Sequence, residues 1–123
     1  MKAIAADNTK PRRLDKMSRY EKWWTNERAE ALAKIGVVPI GQIEFEPVVF
    51  TTQTEVRYTP DFMEVDANTG HILFVEVKAS KKQRFFHYSM TRMKAVAAEF
   101  HWFVWVLAIK GKKDAEWTLE IIN

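Results

Sequence analysis

Residues 58–80, YTPDFMEVDANTGHILFVEVKAS, decide the fold. An apolar-rich run that begins at Phe62 is separated from a second run, Ile72 to Lys78, by the segment Ala-Asn-Thr-Gly at residues 67–70. Asn and Gly tolerate the positive φ that a tight turn requires. Two such runs around a short turn predict a β-hairpin.

The hairpin's register predicts a cluster of charges. If the two strands pair symmetrically about Asn68 and Thr69, Asp61 lies opposite Glu76, with Cβ atoms roughly 5 Å apart. Glu76 and Lys78 are two positions apart on one strand and therefore point to the same face. Two carboxylates and an ammonium converge at the open end of the hairpin. Because like charges so close destabilise a sheet unless a cation lies between them, the cluster predicts a metal site.

At these residues the sequence resembles the PD-(D/E)XK nuclease superfamily. Pro-Asp at residues 60–61 matches the first half of its motif, and Glu-Val-Lys at residues 76–78 matches the second half. The longer runs Tyr-Thr-Pro-Asp-Phe and Phe-Val-Glu-Val-Lys resemble small bacteriophage members, including the endonuclease I type Holliday-junction resolvases. The resemblance spans about residues 18–109 and is strongest in the hairpin.

The resemblance implies a restriction-endonuclease-like α/β fold with an αβββαβ core, in which helices flank a mixed central sheet. It also implies metal-dependent endonuclease activity, with Asp61, Glu76 and Lys78 at the catalytic positions. Many enzymes of this superfamily carry one more acid on the first helix, close to the metal.

The first helix is predicted over residues 18–35, because Ser18 and Glu21 have the spacing of a capping box and Gly36 ends the apolar pattern. Apolar residues recur at helical spacing, namely Tyr20, Trp24, Ala31 and Ile35.

Two glutamates on this helix are candidates for the further acid. The opening Ser-Arg-Tyr-Glu at residues 18–21 is similar to the Ser-Lys-x-Glu opening of small phage members, which favours Glu21. A helical wheel instead places Glu27 within the apolar stripe, so Glu27 is the alternative. A third interpretation gives Glu21 only a capping role, in which its contact with the helix dipole contributes about 0.3–1 kcal/mol.

The remaining pattern predicts four further features. A strand near residues 42–50 contains Pro47, which indicates a bulge or an edge position. Ser-Lys-Lys-Gln at residues 80–83 has capping-box spacing and is expected to begin a second helix. The apolar run 101–109 predicts a strand buried on both faces. Alternating apolar residues at 117–121 predict an extra C-terminal strand.

The buried stripe of the second helix is expected to consist of Phe86, Met90, Met93, Ala97 and Phe100. The resulting order is helix, strand, two-stranded hairpin, helix, strand and strand. Apart from the last strand it agrees with the αβββαβ core that the resemblance implies. Helices that bracket a mixed sheet are also the expected way to bury these patterns.

With 123 residues, the chain is expected to hold a flexible basic arm, residues 1–16, and one nuclease domain, residues 17–123. The absence of cysteine excludes disulfides, thiol catalysis and Cys-ligated zinc. His71, His87 and His101 do not form a His-based nuclease pattern. No apolar run approaches about 18 residues, and residues 1–8 do not resemble a signal peptide. We therefore expect a cytoplasmic protein of a bacterial host cell.

Basic residues follow the hairpin. The formal net charge is only +3, but no Asp or Glu occurs between Lys78 and Glu99. The expected DNA-binding residues are Lys81, Lys82, Arg84, Arg92 and Lys94. A solvated helix face is the alternative interpretation of this run.

The candidate ligands are all oxygen atoms. The carboxylates of Asp61 and Glu76 and the backbone carbonyl of Val77 favour Mg²⁺ or Mn²⁺ over zinc. Such a metal lowers the pKa of a bound water and offsets charge on a scissile phosphate. Lys78 is a compact charge suited to orienting the water and stabilising the transition state. If Glu21 or Glu27 joins, two metals about 4 Å apart become feasible.

The sequence thus predicts a magnesium-dependent endodeoxyribonuclease, a hydrolase of phage or prophage origin that is selective for branched or junction DNA. Two alternatives stay open: a DNA-binding or assembly module that has the nuclease fold but little catalysis, and an enzyme that acts on RNA. A homodimer is expected, because two paired strands require two sites and closed two-fold symmetry supplies the second. The extra C-terminal strand either contributes to that dimer or covers a sheet edge within one chain.

Overall fold

The structure of the chain, a computed structural model, describes residues 2–5 and 17–122. Within these residues the elements in chain order are β1 (Lys2–Ala5), α1 (Arg19–Ala33), β2 (Glu44–Phe45), β3 (Val48–Thr51), β4 (Arg57–Tyr58), β5 (Phe62–Val65), β6 (Ile72–Lys78), α2 (Phe86–Glu99), β7 (Val104–Ile109) and β8 (Thr118–Ile122). Neither of these two helices is both long and apolar enough to cross a bilayer, as far as the described residues go.

The strands form two sheets. Five strands pair in the order β2-β5-β6-β7-β8, in which β6 and β7 are parallel and the other neighbours are antiparallel. A smaller antiparallel sheet has the order β1-β3-β4. The predicted α/β class with a mixed sheet is therefore confirmed.

Each face of the five-stranded sheet has its own hydrophobic core. On one face, α1 contributes Trp24 and Leu32, which pack against Val75 and Val77 of β6. On the other face α2 and the smaller sheet pack against β6 and β7, with Phe50, Phe74, Met93 and Trp105 among the buried side chains. The strict alternation of β6 between these cores decides which face each polar residue of that strand reaches.

The predicted hairpin register is confirmed. Phe62 pairs with Val75, and Val65 pairs with Ile72, so the same register extended by one residue places Asp61 opposite Glu76. Gly70, with φ of 75°, closes the turn between the strands, and its N–H donates to the carbonyl of residue 66 at 2.7 Å.

Asp66 stabilises this turn with its side chain. Its Oδ1 accepts hydrogen bonds from the backbone N–H groups of Asn68 at 3.0 Å and of Val38 at 3.1 Å, and its Oδ2 accepts one from Thr69 Oγ1 at 3.0 Å. These donors, the Asn68 N–H first, lower the pKa of Asp66. The carboxylate thereby joins the hairpin turn to the segment that follows α1.

The predicted boundaries of α1 are also confirmed. Ser18 is its N-cap, and a complete capping box joins Ser18 and Glu21. Gly36 adopts φ of 74°, which turns the chain so that the Val37 N–H donates to the Leu32 carbonyl at 3.1 Å. The predicted stripe faces the core: Trp24 and Ala31 are buried, and Tyr20 and Ile35 pack against the same cluster.

The strand predicted at residues 42–50 is instead two strands in different sheets. β2 lies at the edge of the larger sheet, and β3 is the central strand of the smaller one. Glu46, whose φ is 47°, and Pro47 separate them. A positive φ followed by a residue without an N–H ends the pairing of one strand and redirects the chain to the other.

The second helix begins at Phe86, so the prediction that it begins at residue 80 is wrong. Ser80 Oγ accepts from the Lys82 N–H at 2.9 Å, and Gln83 Oε1 accepts from the Ala79 N–H at 2.8 Å. These side chains therefore stabilise turns before the helix, rather than its first turn. The buried stripe predicted for α2 is confirmed.

Three more features concern chain ends and edges. β7 begins at Val104, because a turn at residues 100–103 precedes it. β8 forms as predicted and pairs with β7, so it covers that edge within the chain. The basic arm predicted at residues 1–16 lies outside the described residues, except Lys2–Ala5, which form β1 rather than an irregular segment.

A buried ion pair joins α1 to β5. Glu64 Oε1 accepts from Arg28 Nε at 3.0 Å, and its Oε2 accepts from Trp24 Nε1 at 3.3 Å. The Glu64 side chain is only 1% exposed. Burial raises the pKa of Glu64, while its contacts with Arg28 and Trp24 oppose that rise.

We predict that Arg28→Met lowers the free energy of unfolding by about 3 kcal/mol at pH 7, since it leaves the Glu64 charge buried without its partner. The loss should shrink as the pH falls toward 4.5, the ordinary glutamate value. The folded-state pKa of Glu64 lies above that of the unfolded chain, so the folded state binds the proton first and gains stability. Urea unfolding at several pH values measures this. Arg57→Met, at an exposed arginine of β4, is the control, and an equal, pH-independent loss in both variants would contradict the assignment.

Candidate active site

The predicted catalytic residues meet at the end of β6. Phe74 of this strand packs in the α2 core, so alternation directs Glu76 and Lys78 to the α2 face, while Val77 enters the α1 core. Asp61 directly precedes β5, at the matching end of the neighbouring strand. The position follows from the hairpin register and the parallel pairing of β6 with β7.

The side chains form one polar network. Asp61 Oδ2 accepts from the Val77 N–H at 2.7 Å, and the hairpin register places Asp61 opposite Glu76. Tyr58 Oη donates to Glu76 Oε1 at 2.5 Å. Lys78 Nζ lies 3.4 Å from Glu76 Oε2. Asp61, Glu76 and Lys78 are therefore brought together as predicted.

Ser89 of α2 positions the ammonium group. Lys78 Nζ donates to Ser89 Oγ at 3.1 Å, and the Lys78 side chain is only 11% exposed. The ammonium is thus held between the Glu76 carboxylate and the Ser89 hydroxyl, two groups of residues that line the same cleft.

The electrostatics of the network disfavour two free carboxylates. Burial raises the pKa of Asp61 well above its usual range, and the charges of Glu76 and Glu21 raise it further. Burial also raises the pKa of Glu76, against hydrogen bonds and charge from Tyr58 and Lys78 that lower it. The pKa of Tyr58 is raised well above its usual range by burial first, then by Glu76 and Asp61. The site is therefore short of positive charge.

The donor set fits a hard divalent cation. Asp61 and Glu76 supply carboxylate oxygens, and Mg²⁺ is commonly held by one or two carboxylates while it keeps several waters. The excess negative charge of the pair is what such an ion offsets. Among the described residues, no group of three or more His, Cys, Asp or Glu side chains is clustered closely enough to hold a metal ion.

The Glu21 side chain caps the start of α1. Its Oε1 accepts from the Ser18 N–H at 2.8 Å, and its own N–H donates to Ser18 Oγ at 3.2 Å. The capping role considered for Glu21 is therefore present. Its charge nevertheless raises the pKa of Asp61.

Glu27, the alternative acid, serves another contact. It forms an ion pair with Lys110, whose side chain is only 4% exposed, and accepts from Trp117 Nε1 at 3.2 Å. The Lys110 ammonium lies 5.4 Å from the Trp23 ring centroid and 5.8 Å from that of Trp117. Glu27 thus neutralises a buried lysine on the α1 face, rather than joining Asp61 and Glu76.

The predicted DNA-binding residues differ in their surroundings. Arg92 lines the cleft next to Glu76, and its charge lowers the pKa of Tyr58. Lys81 is paired with Glu120 at 2.6 Å, so part of its charge is already compensated. Lys82, Arg84 and Lys94 are exposed.

Sequence reasoning missed two residues of the site. The cleft beside Glu76 has a volume of about 260 Å³ and is lined by Tyr58, Thr59, Glu76, Tyr88, Ser89 and Arg92. Tyr58 belongs to the quoted hairpin stretch, yet only its contact with Glu76 reveals its role. Ser89 precedes Arg92 by three positions, a spacing that places both on one helix face.

No protein-family model, no curated protein and no solved structure matches this chain. Function is therefore inferred from the geometry at Asp61, Glu76 and Lys78, together with the sequence resemblance in the hairpin.

We predict that Asp61→Asn stabilises the metal-free protein by about 1 kcal/mol at pH 7, because it removes one of two adjacent buried carboxylates. The amide oxygen still accepts from the Val77 N–H. The variant should lose a metal ligand, so Mn²⁺ should raise the melting temperature of the wild-type protein but not that of the variant.

Differential scanning fluorimetry with and without Mn²⁺ measures both effects. Asp114→Asn, at an exposed acid in the turn before β8, is the matched control and should respond to Mn²⁺ like the wild type. The same Mn²⁺ shift in wild type and Asp61→Asn would show that the metal binds elsewhere.

Proposed function

We propose that this chain is a metal-dependent endonuclease that hydrolyses phosphodiester bonds in DNA. The observation that supports it best is the joint placement of Asp61, Glu76 and Lys78 at the adjacent ends of β5 and β6, beside a cleft that Glu76, Ser89 and Arg92 line. Two carboxylates for a cation, an ammonium beside them and a guanidinium at the entrance suit an anionic phosphodiester.

Asp61 and Glu76 would hold the divalent cation, which would lower the pKa of a bound water and offset charge on the phosphate. The Val77 N–H orients Asp61 through the 2.7 Å hydrogen bond, and Tyr58 fixes Glu76 through its Oε1. Because both carboxylates are held by neighbours, their oxygens stay in place when substrate binds.

Lys78 acts on the phosphate. Its ammonium, anchored by Ser89 and Glu76, donates to a phosphoryl oxygen and stabilises the negative charge that grows in the transition state. Arg92 binds a neighbouring phosphate, since its planar guanidinium suits bidentate contacts with phosphate oxygens. Lys82 and Arg84, in the exposed segment between β6 and α2, extend this basic surface.

A second function is favoured by one observation. Glu21 caps its own helix, which leaves two acids in the network with Lys78 and Tyr58. A DNA-binding or assembly module with little catalysis would need no third acid. The two functions differ in one measurable respect, since only the enzyme changes the covalent state of DNA when Mg²⁺ is added.

The enzyme's substrate range follows from the same proposal. We also propose that branched or junction DNA is the preferred substrate. A homodimer would present two sites to the paired strands of that substrate. Light scattering at several concentrations, together with cleavage of a four-way junction, tests this pair of properties.

We predict that the wild-type protein cleaves DNA only with Mg²⁺ or Mn²⁺, and that Lys78→Ala lowers the rate at least about 10²-fold. Supercoiled, linear, single-stranded and four-way-junction DNA serve as substrates. Lys113→Ala, at an exposed lysine in the turn before β8, is the control and should cleave at the wild-type rate. Folded Lys78→Ala protein that cleaves as fast as wild type would refute the assignment.

We predict that substitutions of the two helix acids, Glu21 and Glu27, affect different properties of the protein. Glu21→Gln should lower the cleavage rate, since the charge of Glu21 reaches Asp61. Glu27→Gln should leave cleavage nearly unchanged but lower the free energy of unfolding by about 2 kcal/mol, because buried Lys110 loses its counter-charge. Cleavage kinetics and urea unfolding of both variants provide the comparison. If only Glu27→Gln lost cleavage, Glu27 rather than Glu21 would be the further acid of the site.

A further inference from the structure

Two large aromatic side chains are exposed beside the candidate active site. Phe85 is 64% exposed and Tyr88 is 62% exposed. Phe85 directly precedes α2 and Tyr88 lies in its first turn, so the two side chains leave the backbone within one turn of each other. Tyr88 also lines the cleft that contains Glu76. Neither side chain is placed to stabilise the core.

The backbone at Phe85 is strained. Its φ of 65° and ψ of 10° lie in the left-handed region, which a residue with a bulky side chain rarely adopts. Glycine is the residue that takes this conformation without steric cost. An exposed phenylalanine at such a position therefore contributes little to folding, and strain of this kind is concentrated at functional sites.

Each of the two rings has an arginine against it. The Arg84 guanidinium carbon lies 4.8 Å from the Phe85 ring centroid, and that of Arg92 lies 5.2 Å from the Tyr88 ring centroid. Arg92 also donates to Tyr88 Oη at 3.1 Å. An aromatic face beside a guanidinium matches the two parts of a nucleotide, the planar base and the anionic phosphate.

Tyr88 and Arg92 lie between two adjoining clefts. The first contains Glu76 and Ser89, and the second, of about 400 Å³, is formed with residues 55–57. A strand that stacks a base on Tyr88 therefore carries its next phosphate toward Ser89, whose hydroxyl accepts from Lys78 Nζ. The bases of an intact duplex are stacked on each other and do not present a free face.

We propose that Phe85 and Tyr88 form a base-stacking platform for unpaired DNA next to the scissile phosphate. The inference rests on the proposed nuclease function and narrows it: the preferred substrate carries single-stranded nucleotides beside the cut, as in a fork or flap. Arg84 and Arg92 bind the phosphates that flank the stacked bases. The stacking itself is independent of base sequence, since every base has a π face.

Binding without metal tests the platform separately from cleavage. Fluorescence anisotropy in EDTA compares a blunt duplex with the same duplex ending in an unpaired fork. We expect the wild-type protein to bind the fork at least tenfold more tightly, and the double variant Phe85→Leu, Tyr88→Leu to lose that preference. Trp102→Leu, at an aromatic that is 56% exposed and follows the opposite end of α2, should keep it.

Phe85→Gly separates binding from folding. Removing the side chain relieves the left-handed strain, so the melting temperature should rise by about 4 °C. Affinity for the fork should fall at the same time. A 2-aminopurine base in the unpaired strand should be quenched by the wild-type protein and less by this variant, which reports stacking directly.

The outcomes separate the two proposals. Equal affinity of wild type and double variant for the fork, with no quenching, overturns the platform, and duplex cleavage by the same preparation leaves the nuclease intact. A fork preference that depends on Phe85 and Tyr88 supports the platform, even if Mg²⁺ produces no cleavage and the nuclease proposal fails. Tighter binding of RNA than of DNA with the same sequence overturns the assignment to DNA.

Discussion

The register between β5 and β6 is the constraint on which the candidate site depends. A slip of one residue would turn every side chain of the strand to the opposite face of the sheet. Val75 would then leave the α1 core and Phe74 the α2 core, so the packing of both faces opposes the slip. The same register places Asp61 and Glu76 side by side. Apolar burial thus holds two acids together that would otherwise repel each other.

The balance between acids and nearby cations differs between this site and the rest of the sheet. Glu64 is matched by Arg28, and Glu27 is matched by the buried Lys110. Asp61 and Glu76, in contrast, lie side by side, and the ion pair recorded for them within the described residues is the one between Glu76 and Lys78. A buried charge pair is tolerated when each charge has a partner, whereas surplus charge marks a position where a ligand supplies the balance.

Much of this arrangement could be predicted from sequence. The hairpin follows from two apolar-rich runs around a turn that ends in Gly70, and α1 follows from the capping box at Ser18. These signals are local and do not depend on the rest of the chain. The convergence of Asp61 with Glu76 was accessible for the same reason, since register alone decides it.

The features that could not be predicted from sequence depend on tertiary contacts. The start of α2 was misplaced because Ser80 and Gln83 satisfy turn amides rather than helix amides, while Phe85 adopts a conformation typical of glycine. The burial of Glu64 and Lys110 became evident only when α1 was docked on the sheet. No local sequence pattern predicts such ion pairs, because the partners come from distant parts of the chain.

The most direct test is anomalous diffraction from crystals of this protein soaked in Mn²⁺. We expect one strong anomalous peak between the carboxylates of Asp61 and Glu76, at about 2.0–2.3 Å from an oxygen of each. The Lys78 ammonium should remain beside that peak without coordinating the metal, since it has no lone pair while it is protonated. Mn²⁺ bound only at other residues, with no anomalous peak at Asp61 and Glu76, would contradict the assignment of these acids as metal ligands.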